Sequence, residues 1–139
     1  MFFKAVAGLV LLASGNALAG QFPLEIFEYF DDSKIVIYAR EEAIQQAPAW
    51  MPETGAPPLG IGRLIEIGNQ WISRDPRLQG AHIHEIELKP IRHHESQQRW
   101  YYLVQLQRAD DSGKPVKTYL AVLLDGTVLP ALREPAAYK

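Results

Sequence analysis

The sequence predicts an α+β fold: one main helix packed on an antiparallel β-sheet of three to five strands, preceded by an N-terminal β-hairpin. Three observations carry it. Leu59 to Asp75 is the one long stretch with helical periodicity, and the segments after it alternate with the two-residue period of strands. Trial pairing of those later segments brings their apolar residues onto a common side, the floor a helix requires. An aromatic and β-branched stretch, Phe22 to Ala39, is interrupted by Asp31-Asp32-Ser33 in the manner of a hairpin turn.

The first residues have a separate character. Met1 to Ala19 combines Lys4, a nine-residue small and apolar run from Ala5 to Ala13, and Ala17-Leu18-Ala19, the layout of a secretory signal peptide cut before Gly20. Nine such residues fall short of the ~20 that span a bilayer. No later segment reads as a membrane span. Removal of the signal takes one lysine from a chain of net charge −2 and leaves −3, with scattered basic residues. That balance excludes binding to nucleic acid through phosphate neutralisation. The chain has no cysteine, so thiol chemistry, disulfides and lipidation after the signal are excluded. The expected location is the periplasm or the outside medium.

One domain is expected over residues 20–139. Residues 20–47 hold the hairpin and two helical turns, 48–58 a proline-rich connector, 59–129 the helix and three strands, and 130–139 a tail. In the helix Ile61, Leu64, Ile65, Gly68, Trp71 and Ile72 share a stripe, bounded by Pro57-Pro58 and Asp75-Pro76. In the strands, a turn at Glu95 sets Ile86 opposite Val104 and Leu88 opposite Tyr102, on one side with His82 and His84. A turn at Asp111-Ser112-Gly113 sets Val104 opposite Leu120 and Tyr102 opposite Val122. The other side then carries Tyr101, Leu103, Tyr119, Ala121 and Leu123, a half-apolar surface that calls for a cover or a partner.

The order helix, three strands, with Trp100-Tyr101-Tyr102 opening the second strand and Leu123-Leu124-Asp125-Gly126-Thr127-Val128-Leu129 closing the third, resembles the PepSY-like domains over about residues 59–129. The resemblance implies a PepSY-like/cystatin-like helix-and-sheet unit, exported or envelope-associated, commonly without catalytic residues, and in some members inhibiting or chaperoning a secreted peptidase. The N-terminal hairpin and proline connector are not part of that unit.

Candidate chemistry is sparse. After the signal the serines are Ser33, Ser73, Ser96 and Ser112, none in a Gly-x-Ser-x-Gly elbow. Gly60-Ile61-Gly62 opens like a dinucleotide fingerprint, but Ile65 stands where its third glycine belongs and no strand precedes it. The histidines are His82, His84, His93 and His94. His82 and His84, alternating onto one side of a strand, are the candidate metal pair, with Leu106 and Arg108 expected opposite and no third ligand in view. His93 and His94 read as solvated turn residues. Glu85 and Glu87 read as solvated residues beside Lys89.

No catalytic residue and no cofactor are therefore assigned. The expectation is a non-catalytic protein- or peptide-binding module of the cell envelope, a peptidase inhibitor or modulator in kind, with self-association a further option. Its surface is either the patch of Tyr101, Leu103, Tyr119 and Leu123 or an exposed edge strand. The alternatives are a small-ligand carrier with a cavity lined by Trp71, Trp100 and Tyr102, and a metal-binding periplasmic protein using His82 and His84.

Overall fold

The computed structural model describes residues 24–30 and 33–135, with side-chain surroundings for residues 34–134. The expected signal peptide, the Asp31-Asp32 part of the first turn and residues 136–139 lie outside the described residues. Among the described residues, no helix is long and apolar enough to cross a membrane.

The chain is α+β with an antiparallel sheet. Strands β1 (Leu24–Phe30) and β2 (Ser33–Ala39) lead into the short helix α1 (Glu41–Gln46), and after the connector comes the main helix α2 (Ile61–Arg74). Strands β3 (His82–Pro90), β4 (Trp100–Ala109), β5 (Pro115–Leu123) and β6 (Val128–Pro135) complete it. The strand order is β1-β2-β6-β5-β4-β3. The first and last parts of the chain thus meet inside one sheet.

Strand β6 corrects the expected tail, which was placed from residue 130. Its first residues pair with β5, Val122 with Val128 through Leu120 with Pro130. From Ala131 onward it pairs instead with β2, Ile37 with Ala131 through Ser33 with Pro135. Pro130 does not interrupt the strand, because proline is tolerated where a strand leaves one ladder for another. The change of partner folds the sheet over itself, so that β2 covers the side of β4 and β5 facing away from α2.

Two cores result, one on each side of the β4–β5 ladder. Toward α2 lie Leu64, Ile67, Tyr102, Val104, Leu106, Leu120, Val122 and Leu124, with Trp71, Ile86, Leu88 and Trp100 packed at the margin. The pairing of Val104 with Leu120 and Tyr102 with Val122 places these side chains on one side, as the sequence alternation requires. On the far side Ile35, Ile37, Ala39, Ile44 and Ala47 pack on Ile91, Tyr101, Leu103, Tyr119, Ala121 and Leu123.

The buried stripe of α2 is rotated from the expected one. Leu64, Ile67 and Gly68 are buried, whereas Ile61 is 51% exposed and Ile65 also faces outward. Ile67 takes the central place because Gly68 lets β3 approach: a Cβ there would meet Ile83 Cδ1 at 2.9 Å. The connector is tied down as well. Trp50 donates its backbone N–H to the Gln98 carbonyl at 3.0 Å and meets Trp100 edge-on at 5.1 Å, while the Tyr102 hydroxyl donates to the Leu59 carbonyl at 2.6 Å.

Candidate functional site at the sheet margins

The patch proposed from the sequence is not a surface. Tyr101, Leu103, Tyr119 and Leu123 are 1%, 3%, 3% and 0% exposed, sealed beneath β2 and α1. The cover comes from Ile35, Ile37 and Ala39, which alternate onto one side of β2, and from Ile44 of α1. Burial of large apolar groups at about 25 cal/mol per Å² is the reason the sheet closes rather than staying open for a partner.

The metal pair is also displaced. The expected register holds from Glu85 to Pro90, but a bulge between Ile83 and Glu85 shifts His82 opposite Gln107 and Ile83 opposite Leu106. One extra residue reverses which side a strand presents. Ile83 therefore joins Ile86 and Leu88 toward α2, and His82 and His84 are exposed, their rings 6.4 Å apart and perpendicular. Among the described residues, no three of His, Cys, Asp and Glu come together to hold a metal ion.

Nor do Trp71, Trp100 and Tyr102 line one cavity. Tyr102 is buried and bonded to the helix entrance, Trp100 meets Trp50 edge-on, and Trp71 lines grooves open to solvent. One such groove, about 360 Å³, runs between α2 and the β5–β6 turn, with Arg63, Gln70 and Arg74 on one wall and Asp125 and Gly126 on the other.

His94, expected in water, is 7% exposed and belongs to a polar cluster under α1. Its Nε2 lies 2.9 and 3.1 Å from the two Glu41 carboxylate oxygens, and its Nδ1 lies 3.3 Å from the Arg92 carbonyl. The Gln45 amide, donating to Glu41, and then the histidine hold the Glu41 carboxyl below its ordinary range. Arg99 donates to the Ala47 carbonyl and, at 3.1 Å, to Gln45 Oε1. An imidazole beside a carboxylate is the pairing general bases use, yet both ring nitrogens here already face protein acceptors. Protein groups occupy the position beside each ring nitrogen, and the cluster serves to fasten α1 to the β3–β4 connection.

What stays accessible is backbone at the margins of the sheet. β1 and β3 end the strand order, so one side of each ladder is open among the described residues. A further opening lies within the sheet, where β6 leaves β5. The β5–β6 ladder stops at Leu120 and Pro130, while β5 continues along β4 down to Pro115. The fork holds a groove of about 310 Å³ lined by Trp71, Leu78, Thr118, Leu120, Ala131 and Leu132 among others, with Asp75, Arg77 and Arg108 also on its walls. Arg77 donates twice to Asp75 through its side chain, at 3.1 and 3.0 Å, and again through its amide at 3.0 Å, keeping that carboxyl below its ordinary range. In the sequence Leu123 to Leu129 reads as the close of the third strand and residues 130–139 as a tail, so no strand beside β5 on this flank is in view. The alternation of Leu129 and Ala131 across Pro130 was the available signal.

Comparison with known protein families, curated proteins and solved structures finds no match.

Proposed function

We propose that the protein is an exported, non-catalytic module that binds a protein or peptide of the cell envelope by strand addition at a margin of its sheet. In this reading residues 59–129 are a PepSY-like/cystatin-like unit. The order of α2, β3, β4 and β5 supports that assignment, as does the common apolar side that β4 and β5 turn to the helix. The role follows as inhibition or modulation of an envelope peptidase, in the periplasm or the outside medium.

One observation carries the proposal. The sheet presents open ladder at its β3 end and along β5 beyond Leu120, while its broad apolar side is closed by β2 and α1. Open ladder recognises extended peptide through main-chain hydrogen bonds, with alternate side chains supplying selectivity. The test is selection from a displayed library of seven-residue peptides, followed by hydrogen exchange of the protein with the selected sequences. The expected result is enrichment of extended, alternating sequences together with slowed exchange of strand amides. A library that yields no binder, or binders that leave every strand amide unchanged, rejects strand addition.

A further inference from the structure

The end strands β1 and β3 and the internal fork are not equivalent, and at the fork the open backbone adjoins a groove with apolar and cationic walls. β3 carries the features by which proteins blunt an edge: a bulge at its start, a Glu87–Lys89 ion pair at 3.7 Å along it, and Pro90 at its end. On its β5 side the fork has an unbulged ladder from Tyr101–Leu123 to Ala109–Pro115, and its one proline, Pro115, stands at the mouth, two positions outside Lys117. Building on the peptide-binding reading, we infer that the β5–β6 fork is the docking site and that its occupant is the end of an extended peptide bearing an acidic side chain.

The backbone geometry sets the direction of approach. Leu123 donates its N–H to the Thr127 carbonyl at 2.9 Å, so the main-chain groups of Leu123 point toward β6. Main-chain groups alternate along a strand, and those of Lys117, six positions earlier, point the same way. Lys114 confirms the alternation from the other side, since its carbonyl accepts from the Asp110 N–H of the β4 connection at 2.8 Å. Lys117 is paired across β4 with Gln107, but the ladder to β6 has already ended at Leu120. Its N–H and carbonyl therefore face the fork.

The fork is blind at one end, because Leu120 and Pro130 close it. A continuous strand cannot run through, so a chain end enters. From Leu120 to Lys117 the strand advances about 10 Å, room for about three residues of added strand. The walls specify side chains. Leu120 and Ala131 are apolar, and Leu132, 52% exposed, is the most exposed large apolar residue described. Arg77 and Arg108 outnumber Asp75, which is already engaged by Arg77, and the lining has a net positive charge complementary to one carboxylate. A peptide with alternating apolar residues and one glutamate meets each wall.

The experiment titrates ¹⁵N-labelled full-length protein with acetyl-Val-Glu-Val-Thr-Val and with its glutamine counterpart, acetyl-Val-Gln-Val-Thr-Val. Saturable shifts are expected at the Lys117 and Leu132 amides and the Trp71 indole, with the glutamine peptide about tenfold weaker. Arg108→Gln should remove the difference between the peptides. Lys117→Pro should abolish binding of both and Lys117→Ala should not, since only the proline deletes the donor that faces the fork. Leu132→Asp, at an exposed position compatible with folding, should weaken both peptides, the glutamate peptide more strongly, and serves if the proline variant does not fold. Shifts confined to β1 or β3 would overturn the fork while leaving strand addition standing, and equal binding of the two peptides would overturn the acidic occupant. No shift with either peptide would overturn the fork and remove the support for strand addition with it.

Discussion

Replacing Tyr101 by alanine separates a buried sheet face from a docking surface. The side chain is 1% exposed and packs in the core that joins β2 and α1 to β4 and β5. Truncating a buried aromatic to alanine costs about 3–5 kcal/mol, through lost transfer energy and the cavity left behind. A domain of this size has only about 5–15 kcal/mol in total. At about 3–5 °C per kcal/mol the melting temperature should fall by about 10–20 °C. Urea unfolding followed by circular dichroism measures this directly: the midpoint should drop with the slope unchanged, because the same surface is exposed on unfolding. Leu132→Ala is the internal comparison, since an exposed position should change stability by less than about 0.5 kcal/mol. If Tyr101→Ala unfolds within about 0.5 kcal/mol of the unsubstituted protein, β2 and α1 do not cover this face.

Three further outcomes are expected. Tyr102→Phe removes the hydroxyl that donates to the Leu59 carbonyl and should cost about 1–2 kcal/mol. It should also speed exchange of the Leu64 amide, which bonds to Gly60 in the first turn of α2. Glu41 has its carboxyl lowered from 4.5, so its contribution is present above that value and is lost as pH falls through the lowered folded-state value. Glu41→Gln should therefore lower the unfolding free energy from urea titration at pH 7 by less than about 1 kcal/mol, given the exposed carboxylate, and by less again at pH 3. Gly126→Ala should cost about 1–2 kcal/mol by urea titration. It forces a side chain onto a φ of +90° and brings Cβ within 3.3 Å of Ile67 Cδ1.

The parts of the fold that were legible in the sequence are those where local pattern and pairing arithmetic agree. The helix boundaries follow from Pro57-Pro58 and Asp75-Pro76, and the β4–β5 register follows from a loop centred on Ser112. Asp110 supports that loop by accepting from the Ser112 and Lys114 amides. The β3–β4 register failed only beyond Glu85, because a bulge leaves no mark in a composition of alternating histidines and isoleucine. His94 was misplaced for a related reason. Nothing local to His93-His94 shows that Glu41, 53 positions earlier, will lie against one of the two rings. The apolar outer side of the sheet was visible as a pattern, but a pattern states that a cover is needed and not which segment supplies it. Ile35 and Ile37 read equally well as an added edge and as a lid. The fork was hidden because it depends on β6, whose first residues read as the close of the third strand and whose later ones read as a tail.

The double allegiance of β6 also bears on how the chain acquires its structure. The segment that joins the two halves is synthesised after both strands it pairs with, and it bonds to residues about a hundred positions earlier, Ser33 meeting Pro135. Until it arrives, Ile35 and Ile37 have no strand beside them on that flank, and the β4–β5 ladder lacks the element that draws its lid into place. Such distant closure slows folding and lengthens the interval in which greasy strands are open to wrong partners. A polypeptide stopped before Val128 should thus accumulate as a helix and ladder with an uncovered back, recognised by holding chaperones and cut readily by proteases.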